Sequence, residues 1–124
     1  MTVRVLVADD NLDVHELVND ILHISFKDVS AVRALTADDF RVQMSTIKPA
    51  FNLILIAGGL VDEKGKGIVS ILISDFPKSA AHTAVIEDFA GPLHTDAKGR
   101  PIATIYKPFS LDEFSSVIKK ICAP

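Results

Sequence analysis

Four short stretches carry the side chains able to do chemistry. They are Asp9-Asp10 in "VLVADDN", Ala57 in "FNLILIAGGL", Glu87-Asp88 in "AVIEDFAG" and Lys107-Pro108 in "IYKPF". Adjacent carboxylates suit a divalent cation or a cationic side chain, and a lysine beside them either neutralises them or grips an anion. Each stretch begins with apolar, β-branched residues, so each group falls where a strand ends. The second stretch is the odd one, because its strand-end position holds Ala57, a methyl group without a nucleophile. Gly58-Gly59 then gives the backbone freedom, but no phosphate-cradling pattern follows.

These groups need a scaffold, and the chain supplies one. Thr2 to Ala8 reads as a central strand buried on both faces. Asn11 caps a helix with Asp13 in its first turn and Val14, Leu17, Val18, Ile21 and Leu22 on one face. Asp28 to Leu35 is a weaker strand. Thr36 to Asp39 starts a second helix carrying Phe40, Met44 and Ile47, ended by Pro49. Leu53 to Ile56 is the third strand, and Ile68, Val69, Leu72, Ile73 and Phe76 form a third helix that stops near Pro77. Thr83 to Ile86 and Ile102 to Tyr106 are the last strands. Ser110 with Glu113 reads as a capping box for a final helix bearing Leu111, Phe114, Val117, Ile118 and Ile121. Alternating strands and helices predict a doubly wound, five-stranded parallel sheet, with the working groups at the carboxyl ends of its strands.

The set of strand ends resembles the receiver domain of two-component response regulators, a flavodoxin-like fold, over nearly the whole chain. In that family an acidic pair holds Mg²⁺, a third-strand aspartate accepts a phosphoryl group, and a Thr or Ser and a lysine grip its oxygens. The resemblance places Asp9 and Asp10 at the acidic pair and Lys107-Pro108 at the lysine and cis proline. It places Ala57 at the acceptor, Thr104 at the aromatic switch position, and Glu87 (or Asp88, one register on) at the Thr/Ser position. Val61 stands where a proline is usual, while Gly65 fits a later family glycine.

The implied chemistry fails at several of these positions. Ala57 cannot form an acyl phosphate. Glu87 would repel a phosphoryl dianion, and Mg²⁺ loses a carboxylate, so its binding is expected to be weak or absent. The expected arrangement is instead an ion pair between Glu87 and Lys107, with Asp9 or Asp10 also pairing with Lys107 as a strand-end tie. A replacement metal role for Glu87 is the sharper alternative. The stretch Asp88 to Pro101, "DFAGPLHTDAKGRP", lacks a helical apolar period. Its Gly91-Pro92 and Gly99-Arg100-Pro101 are turn signals, so the fourth helix of the family is expected to be a loop with at most one turn from Pro92. Phe89 and Leu93 would then fold back over the bared sheet, or a partner would cover it; the alternative is a loop that is simply mobile. The sequence is read as having no internal repeat and no low-complexity segment.

The leading expectation is a non-enzymatic pseudo-receiver that binds another protein without phosphorylation. The partner would be a histidine kinase, an output domain or a localisation partner. The alternatives are a switch controlled by a cation or other ligand at the acidic pocket, and a normal receiver carrying an engineered Asp-to-Ala change. Several departures occur together, which favours natural replacement. The 124 residues, 48% of them hydrophobic, suit one domain, 1–124. The net charge of −3 gives no footprint for direct nucleic-acid binding. No apolar run approaches the roughly 20 residues of a membrane span, and the start lacks a signal-peptide layout, so the expected place is the cytoplasm. His15, His23, His82 and His94 have no metal-ligand spacing, and the single Cys122 reads as a packing residue.

Overall fold

The computed structural model describes residues 2–46, 50–89, 91 and 93–123. Ile47, Pro49 and Pro92 lie outside them. The element order is β1 (Val3–Ala8), α1 (Leu12–Ser25), β2 (Val29–Ala34), α2 (Ala37–Thr46), β3 (Leu53–Ala57), α3 (Ile68–Asp75), β4 (Thr83–Glu87), β5 (Ala103–Tyr106) and α4 (Leu111–Cys122). A short 3-10 helix, Pro77–His82, joins α3 to β4, with Pro77 in its first turn. The five strands are all parallel in the order β2-β1-β3-β4-β5. This is the doubly wound parallel sheet expected from the alternation of elements, in the flavodoxin-like order that the resemblance implies, and no described helix is long and apolar enough to cross a membrane.

Strand alternation sorts the core into two layers. Leu6, Ala8, Ile54, Ile56 and Val85 pack beneath α2 and α3 through Phe40, Ile68, Ile71 and Leu72. Val5, Val7, Leu53, Leu55, Ala84, Ile86 and Ile105 pack beneath α1 and α4 through Val18, Leu22, Phe114 and Ile118. β1 and β3 are flanked by strands on both sides, which is why they read as continuous apolar runs.

The caps follow the sequence. The Asn11 side chain accepts from the Asp13 N–H at 2.9 Å, and Ser110 Oγ accepts from the Glu113 N–H at 3.0 Å. The Ser110 hydroxyl in turn donates to the Glu113 carboxylate at 3.2 Å, so the expected capping box closes through the hydroxyl and not through the Ser110 N–H. Leu17 departs from expectation: it is 49% exposed, because the buried stripe of α1 runs through Val14, His15, Val18, Ile21 and Leu22.

No described residue between β4 and β5 is helical. The expected covering by Phe89 and Leu93 does not occur, since Phe89 is 82% and Leu93 61% exposed. Two small hairpins appear instead of irregular loops, and they are built alike. In "DEKGK" the Gly65 N–H donates to the Asp62 carbonyl at 3.0 Å, and the Asp62 N–H to the Lys66 carbonyl at 2.9 Å. In "DAKGR" Gly99 donates to Asp96 at 3.0 Å, and Asp96 to the Arg100 carbonyl at 2.8 Å. Both glycines have left-handed backbones, φ +82° and +80°, which a side chain would strain. The flanking residues pair antiparallel, Val61 with Gly67 and Thr95 with Pro101. A short local repeat of the form Asp-x-Lys-Gly-Lys/Arg is therefore present, contrary to the expectation of none; it escapes notice because it spans five residues and shows itself only in the shared turn geometry.

Candidate functional site

The carboxyl ends of β1, β3, β4 and β5 surround a cavity of about 550 Å³. Asp9, Asp10 and Asn11 come from the end of β1, Ala57 to Leu60 from β3, Ile86 to Phe89 from β4, and Lys107 from β5. The structure thus brings Asp9, Asp10, Ala57, Glu87 and Lys107 together. The Lys107-Pro108 peptide is cis. Thr104 lies mid-strand in β5, its hydroxyl donating to the Ile102 carbonyl at 3.2 Å, and does not line this cavity.

The expected ion pairs are different. Lys107 Nζ contacts Asp88 Oδ1 at 3.1 Å, while Glu87 is held by His94, whose Nε2 lies 2.8 Å from Glu87 Oε1. Neither Asp9 nor Asp10 is in ion-pair contact with Lys107, which acts on Asp9 only through space. Alternation explains the correction. Glu87 is registered with Tyr106, so the next residues, Asp88 and Lys107, are neighbours, and the Glu87 side chain leaves the strand on the other side. There it lies over Gly58, where a β-carbon would collide with its carboxylate. Gly58 is therefore the cradle of Glu87, and His94 fixes the far end.

Asp9 is the anomalous group. It is 3% exposed, its Oδ1 accepts the Asn11 N–H at 2.9 Å, and its Oδ2 has no hydrogen-bond partner. Burial pushes its carboxyl above the usual range, opposed by the Asn11 hydrogen bond and by the charge of Lys107. His15, one of the histidines without metal-ligand spacing, is buried in α1. Its Nε2–H donates to the Asp9 carbonyl at 2.7 Å, fastening α1 to the end of β1.

The side chains around the cavity make a poor Mg²⁺ site. The orphan Asp9 Oδ2 suits a ligand, and Asp10 stands beside it. Ala57 offers no side-chain oxygen, Glu87 is engaged by His94, and Asp88 by Lys107. Among the described residues no group of three or more His, Cys, Asp or Glu side chains is placed to hold a metal ion. A cation that demands near-octahedral oxygen geometry does not fit this set.

Sequence reading missed His94, the second hairpin and the role of Gly58. Asp88 follows as the Lys107 partner only once the register of β4 against β5 is known. No local signal announced His94, because its contact depends on the path of the segment after Asp88.

The fold is that of receiver-type α/β domains, as three solved structures show. The chain matches a response regulator receiver domain protein (CheY-like) from Methanospirillum hungatei JF-1 with a TM-score of 0.72 and 19% identity, over 97% of this chain and 93% of that one. It matches a signal receiver domain of two-component signal transduction (histidine kinase) from Clostridium thermocellum with a TM-score of 0.75 and 14% identity, over 98% of each. NtrX from Brucella abortus, solved with ADP, gives 0.70 and 22%, over 98% of this chain and 26% of that one. No protein-family model matches the chain, and no curated protein matches it in sequence. At these identities the likeness is one of fold.

Proposed function

We propose that this chain is a receiver-fold signalling module that acts by binding another protein without being phosphorylated. The observation that carries the reading is Ala57. It lines the cavity at the carboxyl end of β3, and a methyl group cannot attack phosphorus. The neighbouring groups support it: Lys107 is committed to Asp88, and Glu87 is clamped between Gly58 and His94. On this reading the chain is not an enzyme and needs no metal. Its partner is a histidine kinase, an output domain or a localisation partner, met on α4, β5 and the segment bearing exposed Phe89 and Leu93.

The test is incubation with acetyl phosphate and Mg²⁺ followed by intact-mass measurement. The expected result is an unchanged mass. A phosphoryl adduct on any aspartate would overturn the reading. A second reading, control by a ligand at the acidic cavity, is favoured by the unpartnered Oδ2 of Asp9.

A further inference from the structure

The cavity holds four carboxylates, from Asp9, Asp10, Glu87 and Asp88, and one ammonium, from Lys107. Two of the four are already matched, Asp88 by Lys107 and Glu87 by His94. Asp9 and Asp10 remain without a cationic partner, side by side at the end of β1. Asp9 forms part of the cavity wall while itself almost wholly buried, and its Oδ2 makes no hydrogen bond. An unsatisfied buried carboxyl oxygen is costly, so a donor that reaches it gains what folding forfeits.

The rest of the lining narrows the donor. Ala57, Leu60 and Ile86 supply apolar wall, and Phe89 holds its ring almost fully exposed at the rim. The volume suits a side chain or small ligand more than a bare ion. A hard metal ion gains nothing from apolar walls or an aromatic rim and lacks a third free carboxylate here. A guanidinium gains from all of them: it is weakly hydrated, presents several N–H donors in a plane to carboxylates, and stacks on aromatic faces.

We propose that this cavity receives the guanidinium of an arginine side chain carried by a partner protein, with Asp9 and Asp10 as its acceptors and Phe89 against its face. This rests on the reading that the module binds protein and runs no phosphoryl chemistry. Where Ala57 stands, a longer acidic side chain would fill part of the space, so the small residue makes room for the incoming group.

The experiment is an amide NMR titration with N-acetyl-arginine methylamide, run beside its neutral citrulline analogue and MgCl₂. The expected result is saturable shifts at Asp10, Asn11, Ala57 and Gly58 with the arginine probe and none with citrulline. Asp9→Asn should weaken binding about tenfold, as loss of a charge-assisted hydrogen bond implies. Asp10→Asn, at an exposed position, gives a second and independent variant, and it too should weaken binding. Equal shifts with citrulline, or a spectrum silent to arginine, would overturn the site, as would a response to MgCl₂ alone. A silent arginine titration leaves the acetyl phosphate result untouched, so the two proposals fail separately.

Discussion

Asp9 at the cavity and Asp62 and Asp96 on the hairpins carry the same side chain in opposite circumstances. Asp62 Oδ1 accepts the N–H groups of Lys64 and Lys66 at 3.0 and 2.8 Å, and its Oδ2 meets Arg41 at 3.3 Å. Asp96 repeats this with Lys98 and Arg100, both at 2.9 Å, and takes Arg100 Nε at 2.9 Å. These hydrogen bonds, led by the Lys66 and Arg100 N–H groups, hold both carboxyls below the usual range. Asp9 has one donor, an orphan oxygen and a carboxyl pushed up by burial. The two hairpin carboxylates use both of their oxygens to build structure. One left unused in a cavity wall marks a place held ready for something outside the chain.

The largest expected effect on this contrast comes from the hairpins. Gly65→Ala and Gly99→Ala should each cost about 1–2 kcal/mol, measured by chemical denaturation, because each forces a side chain into a left-handed backbone. Nothing lies within 4 Å of either added β-carbon, so the cost is backbone strain alone. If both variants match the parent, the hairpins do not hold their aspartates in place as described.

Asp9→Asn should act in the opposite direction, stabilising the chain by about 1 kcal/mol at neutral pH by removing an unsatisfied buried charge. The sign follows from proton binding. With a folded pKa above the ordinary 3.8, native Asp9 binds more protons than unfolded Asp9 between the two values. Its penalty is absent below 3.8, grows as pH rises, and is complete above the folded pKa. The gain in the variant should therefore vanish on acidification. The hairpin aspartates behave oppositely: their stabilisation is present above 3.8 and lost as pH falls through their lowered folded values. A gain in Asp9→Asn that is independent of pH would break the comparison.

The smallest effect belongs to Lys107→Met. Its pair with Asp88 is largely at the surface, so stability should change by less than about 1 kcal/mol. Loss of the Lys107 charge should still move the Asp9 carboxyl further upward, readable by side-chain NMR titration. A large destabilisation would mean that the lysine holds more than Asp88.

The fold was legible because burial on both faces leaves continuous apolar runs in β1 and β3, and because Asn11 and Ser110 announce their helices. The strand-end groups followed from the fold. The partner of Lys107 did not, because it depends on a one-residue parity between β4 and β5 that places Glu87 and Asp88 on opposite sides. His94 and Gly58 were hidden for a related reason: each matters through a contact made across the chain, and neither belongs to a periodic pattern. Leu17 and Phe89 show the reverse error, in which apolar residues in register with a core stay outside it. The two hairpins were half visible, since Gly99-Arg100-Pro101 reads as a turn, but their likeness appears only when the loop after β3 is set beside it.

The second hairpin also bears on how the sheet ends. Its Thr95 pairs with Pro101, and the Ile102 N–H donates to the His94 carbonyl, so the approach to β5 is already paired on its outer side. Pro101 has no N–H to offer. The terminal strand thus presents only a short open border to other molecules, and a short border is a poor template for recruiting foreign strands. The hairpin blocks strand addition at the entry to this edge, and β5 itself, Ala103–Tyr106, is only four residues long.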